Sequence, residues 1–267
     1  MTSNLRSVIN PAALPVSAAT CKPIYPNQYL KVNTIFNVVR SAGLRTAWSD
    51  KHPSYQLLSG PSGNGVDDFF TPEIASQASG YPAGVSWDSD VDANEKYDGY
   101  KVQAVLNEID GYNHSRTERV GVPALFGMNF QVVTTAEQLP ESDGLTGGYL
   151  PGGTVPASGL SKVYAGAAAA AFFHVPVSDP RHPVVFGIVQ HGVIYADQPD
   201  IEQHGGADFQ DRSIPILVLL PGLRRGATVG ASVEITQIAP TIVQLLGLNP
   251  RSLQAVRIEA TRVLPGL

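Results

Sequence analysis

The residues whose types and order suggest chemistry fall in two short runs. The first is Ser49-Asp50-Lys51-His52, which puts a carboxylate, an ammonium and an imidazole in succession and is closed by Pro53. A lysine ammonium in such a run suits an anionic ligand as a compact point charge. The three groups could also move protons if they were held near a reacting atom. The plainer reading pairs Asp50 with Lys51 at the surface, an interaction worth at most about 1 kcal/mol. The second run is Ile201-Glu202-Gln203-His204-Gly205-Gly206. A histidine in a glycine-rich turn ahead of a strand can present a neutral imidazole to zinc, because glycine permits close backbone approach. By spacing alone, the simpler reading of His204 is a surface-loop histidine.

Other candidates carry less. Asp67 and Asp68 end a glycine-rich stretch and could serve a hard cation, but their spacing is not that of an EF-hand loop. Asp88, Asp90 and Asp92 alternate in the same way, and a solvated loop accounts for both groups. His174, His182 and His191 have no His-x-x-x-His spacing. The chain has no Gly-x-Ser-x-Gly elbow, no Walker loop and no Gly-x-Gly-x-x-Gly. Cys21 is the sole cysteine, which excludes an intrachain disulfide and a thiolate metal cluster. Asn113-His114-Ser115 is a glycosylation sequon only in a secreted chain.

The elements that must position these residues read as alternating helices and strands. Val32, Ile35, Phe36, Val38 and Val39 recur at helical spacing, with Asn33 or Thr34 as cap and Gly43 as stop. Arg45 to Trp48 reads as a short strand that delivers Ser49 to His52 to its end, where α/β sheets place ligand-contacting groups. Residues 59–95 read as a loop-rich surface excursion. A second helix is expected over Tyr97 to Ile109, with Val102, Val105, Leu106 and Ile109 on one face. A second strand is expected within Pro123 to Val133. Residues 140–162 read as loop and Tyr164 to Phe173 as an Ala-rich helix. A strand or hairpin is expected over Val184 to Tyr195. Ile214 to Leu220 has the continuous apolar text of a buried parallel strand. A last helix spans Thr236 to Leu246 and ends at Gly247. The expected fold is α/β, a mostly parallel central sheet flanked by helices, as one domain over residues 1–267.

Composition narrows the classes. The chain has 267 residues, 43% of them hydrophobic and 15% charged, with a formal net charge of −5. That supports a sizeable core and argues against disorder. No basic cluster tracks a phosphate backbone, so nucleic acid is not an expected partner. No run approaches the ~20 apolar residues of a membrane span. The first sixteen residues lack the apolar centre of a signal peptide, so a cytoplasmic location is the default.

Three blocks of text resemble the alkaline phosphatase superfamily, and within it the type I phosphodiesterase/nucleotide pyrophosphatase family. They run from about Ile9 through Ile74, including Thr46 to Pro53; from Lys101 to Leu139; and from Asp179 to Leu267, including His204 and Thr236-Gln237-Ile238-Ala239-Pro240-Thr241. The resemblance implies metal-dependent hydrolysis of a phosphodiester or pyrophosphate. It implies Lys51 and Asp50 at the substrate, a phosphorylated small molecule or nucleotide. It also implies His204 on a divalent metal, most plausibly zinc.

The chain departs from that family where chemistry resides. The family's nucleophile and first metal aspartate precede the point that Met1 resembles. Its Asp-x-x-x-His pair is replaced by Asn129-Phe130-Gln131-Val132-Val133-Thr134. A further Asp-His-Gly step is missing where Leu160-Ser161-Lys162-Val163-Tyr164 runs almost directly into the third block, an internal deletion expected near 160–166. Paired metals clamp both the attacking and leaving oxygens, and one histidine cannot hold such a pair. The expectation is therefore a shortened, catalytically impaired hydrolase. The alternative is a non-catalytic remnant that binds a phosphorylated ligand or a protein. A sheet lacking its first strand would also expose apolar surface at an edge, for which a homodimer, low stability or a rearranged edge is expected. Family relatives are often exported.

Overall fold

A computed structural model describes residues 9–139, 158–180, 182–195, 204–223 and 226–267. The chain divides into two compact units, residues 1–132 with 224–267 and residues 133–223. In the larger unit, helix α1 (Ile35–Ser41) starts at Thr34, whose hydroxyl accepts from the Asn37 amide while Asn37 Oδ1 accepts from the Thr34 amide. This reciprocal cap satisfies two otherwise orphaned donors. The expected cap and the Gly43 stop both hold; Gly43 has φ +77°, a conformation that favours glycine.

Strand β1 (Thr46–Ser49) follows and lies between β2 (Asp68–Phe70) and β3 (Leu125–Met128), parallel to both. On one face Trp48 and Phe69 pack with Phe36 of α1. Gly127 lies beneath Trp48, and a Cβ there would come 2.6 Å from the ring, so the close approach requires glycine. Helix α2 (Val91–Ile109) crosses between β2 and β3 and packs on β1 and β3. Asp90 caps it, accepting from the Ala93 amide at 2.8 Å.

The apolar face of α2 is not its most buried one: Val102 and Val105 are half-buried. Leu106 is 48% and Ile109 47% exposed, whereas Asn94, Tyr97, Asp98, Lys101, Ala104, Asn107 and Glu108 are buried. Polar groups can take the inward face because partners await several of them in the loops around the strands, which offsets their desolvation. An apolar count along the helix cannot register partners so distant in sequence. Likewise, 59–95 is irregular for most of its length yet supplies β2 and the buried Ile74, Ala78 and Trp87, which pack on Ala93 and Tyr97. The strand expected within Pro123 to Val133 is only four residues long. It ends because the Asp98 carboxylate accepts the amides of Gln131 and Val132, turning the chain into α3 (Val132–Gln138).

In the smaller unit, β4 (Leu160–Ala165) precedes α4 (Ala167–Phe172) and pairs antiparallel with β5 (Val185–Val189). Tyr164, Phe172, Phe173 and Phe186 form its ring cluster. A one-turn helix, α5 (Phe209–Arg212), follows. Ile214 to Leu220 is not a strand: Leu217 is 93% and Leu219 86% exposed, and no described strand pairs with the segment. An apolar run specifies a strand only where a neighbour accepts its backbone bonds.

The chain returns to the larger unit in α6 (Ile238–Leu245) and α7 (Gln254–Glu259). Val243, Leu253 and Val256 bury against Val38 of α1. Asn33 and Gln254 exchange amide bonds at 2.9 and 2.8 Å, tying the helix entrance to the last segment. The helix read over Thr236 to Leu246 is expected to end at Gly247, and Gly247 has φ +73° just beyond α6. The architecture is mixed α/β, with a three-stranded parallel sheet flanked by helices. No helix among the described residues is long and apolar enough to cross a membrane.

Candidate functional site at the carboxyl ends of the parallel strands

The three parallel strands end together, and their following residues interlock. The β1 register runs on irregularly: the Asp50 amide donates to Phe70 O at 3.0 Å, and the Ile74 amide to Lys51 O at 3.0 Å. Asp50, 1% exposed, accepts from Trp48 Nε1 at 2.7 Å, from the Lys51 amide at 2.8 Å and from Asn129 Nδ2 at 3.4 Å. It is turned inward and fixes the loop, and its bonds are not those of a surface pair with Lys51.

Lys51 reaches from the central strand toward the loop after β3. Its ammonium donates to Gln131 Oε1 at 2.8 Å. Gln131 is itself held, because its Nε2 donates to Asn129 Oδ1 and to Phe130 O, each at 2.8 Å. An ammonium carries three donors, so this single anchored bond orients Lys51 and leaves it capacity for an anion. His52 reaches the other way, toward the loop after β2, and its Nδ1 lies 2.7 Å from Glu73 Oε1. Tyr97, from α2, donates its hydroxyl to Pro72 O at 2.6 Å. Burial, and then the Asp50 carboxylate, push that phenol far up from its ordinary value.

Beneath these groups lies Lys101, fully buried on α2. It pairs with Asp98 at 2.9 Å and donates to Asn129 O. Burial pulls its ammonium down from the ordinary value, against the opposing pull of Asp98. A buried pair of this kind tightens geometry more than it adds stability. Here it holds Asn129 to Val132, the segment that orients Lys51.

A second charged cluster occupies the amino ends of the same strands. Arg45 forks onto Glu108 and approaches Asp68 at 3.4 Å. Asp68 Oδ1 lies 2.5 Å from His114 Nδ1, and its Oδ2 accepts the His114 amide at 2.9 Å. The imidazole stacks on Phe70, and its Nε2 is buried with no hydrogen-bond partner among the described residues. Burial raises the Glu108 carboxyl to about 7, and the adjacent Asp68 charge reinforces the rise. Burial also pushes Asp68 upward, but the bonds from His114 and the interaction with Glu108 prevail and hold it at about 2.

The structure thus brings Asp50, Lys51 and His52 together at the strand ends. His204 belongs to the smaller unit and is exposed. Asp67 pairs with Arg40 at 2.6 Å, Asp90 caps α2, and His191 pairs with Asp208 at 3.0 Å on the surface. Among the described residues, no group of three or more His, Cys, Asp or Glu side chains is placed to hold a metal ion.

Sequence reasoning missed Asn129, Gln131, Asp98, Lys101 and Glu73. The only local signal was the Asp98-x-x-Lys101 spacing, which places both side chains on one helix face. Comparison with protein-family models, curated proteins and solved structures finds no match to this chain.

Proposed function

We propose that the chain binds a phosphorylated small molecule or nucleotide at the carboxyl ends of β1, β2 and β3, with Lys51 as the anion contact. The observation that carries this reading is the Lys51 ammonium, held by Gln131 through one bond at the end of the central strand. Open α/β sheets take ligands at this place, and Asp50 and the Lys101–Asp98 pair act there as positioning residues. The resemblance to phosphodiesterases and nucleotide pyrophosphatases supports a phosphoester as the ligand class. Metal-dependent hydrolysis is the activity of that ancestry, and it is impaired in this chain because His204 is the one metal-ligand position the resemblance supplies.

The test joins calorimetric titration of inorganic phosphate and AMP with elemental analysis and bis-p-nitrophenyl phosphate turnover before and after chelation. Saturable binding that is lost in Lys51→Met, with no stoichiometric metal, is the expected outcome. Two bound transition metals with chelator-sensitive turnover would replace the binding reading with an active metal-dependent diesterase. Absence of phosphate and AMP binding by the folded chain would overturn the site itself.

A further inference from the structure

The imidazole beside Lys51 has a partner that gives it a specific form. His52 follows β1, and Glu73 follows β2 at the same edge of the sheet. An ionised carboxylate only accepts hydrogen bonds. Beside an ionised Glu73 the Nδ1 facing Oε1 at 2.7 Å carries a proton, and whenever the ring is neutral its lone pair lies on Nε2. Glu73 is fixed in turn, because the Ala75 amide donates to the same oxygen at 3.2 Å and Ser76 Oγ donates to Glu73 O at 2.6 Å. The His52 and Glu73 side chains are 36% and 42% exposed, so water and a small ligand reach them. Lys51 and His52 are consecutive at the end of the central strand, Lys51 bonded to the loop after β3 and His52 to the loop after β2.

We infer that His52, oriented by Glu73, is a metal-independent proton-transfer group for hydrolysis of an activated phosphoester held by Lys51. This rests on the binding site proposed above. In the step, His52 Nε2 takes a proton from water as the water oxygen bonds to phosphorus. The ester P–O bond breaks, and its electron pair leaves with the aryl or alkyl oxygen. The imidazolium then returns its proton to the leaving group or to solvent. One ester and one water yield one alcohol or phenol and one phosphate, and no oxidant, reductant or metal is consumed.

The experiment uses the full chain with bis-p-nitrophenyl phosphate in excess chelator, alongside calorimetric titration of inorganic phosphate. General-base action contributes about 100-fold or more. His52→Ala is therefore expected to lower the chelator-insensitive rate by about that factor while retaining phosphate affinity, and added imidazole to restore part of the rate. Glu73→Gln is expected to lower the rate without imidazole rescue. Rescue separates proton transfer from a structural role, since free imidazole cannot repair a misfolded loop. Phosphate binding without chelator-insensitive turnover, or turnover unchanged in His52→Ala, overturns this inference and leaves the binding site standing. No phosphate binding by the wild-type chain overturns both.

Discussion

The two ends of the parallel sheet both gather charges, yet they are built to different ends. At the amino ends, Arg45, Glu108, Asp68 and His114 turn on one another, and most of their bonding capacity is spent inside the cluster. At the carboxyl ends, the buried charges Asp50, Asp98 and Lys101 are likewise spent on one another's loops, but Lys51 and His52 stand above them with donors and lone pairs to spare. One end is a closed knot and the other an open platform on a similar foundation. Buried charge alone therefore does not mark a ligand site; what distinguishes the platform is charge left partly unspent at the surface.

The largest expected effect comes from undercutting the platform. Lys101→Met strands a buried Asp98, and loss of one partner from such a pair costs about 3–5 kcal/mol. Urea unfolding should show it, and adding Asp98→Leu should not restore it, because the Gln131 and Val132 amides then lose their acceptor. Next is Gly127→Ala, which drives a methyl into the Trp48 ring. Overpacking of this kind costs about 1–3 kcal/mol and should lower the melting temperature.

The closed knot should show itself through pH. The Glu108 carboxyl is raised to about 7 from 4.5, so its contribution to stability is complete below about 4.5 and is lost as pH rises through 7. Asp68, held at about 2 from 3.8, contributes above 3.8 and loses that contribution as pH falls toward 2. Chemical denaturation across pH should show Glu108→Gln flattening the decline between pH 5 and 8; an unchanged decline would place its origin elsewhere. The smallest effect on stability belongs to Lys51→Met, about 1 kcal/mol or less. Its loss of phosphate affinity beside nearly unchanged unfolding would sharpen the contrast between platform and knot.

Much of the platform's position was legible in the sequence, and little of its construction. Thr34 and Gly43 bracket α1 through local chemistry, and the short strand before Pro53 places Lys51 at an edge; these signals act within a few residues. The bonds of Gln131 to Lys51, Glu73 to His52 and Lys101 to Asn129 span 80, 21 and 28 residues. Nothing local encodes them. Leu106 and Ile109 share an apolar helix face in the sequence, but apolar text takes no account of the polar partners that claim the inward side. Ile214 to Leu220 read as a strand for the same reason: composition was legible and pairing was not.

The bond from Trp48 to Asp50 makes the platform self-reporting. Indole emission responds to the polarity and hydrogen bonding of its ring nitrogen, and this ring nitrogen donates to the carboxylate that fixes the Lys51 loop. The chain has only two tryptophans, and Trp87 packs in a separate cluster with Tyr81 and Tyr97. A Trp87→Phe chain would therefore carry a single indole, wired to the strand ends, and with excitation selective for tryptophan ligand arrival could be followed optically without a label.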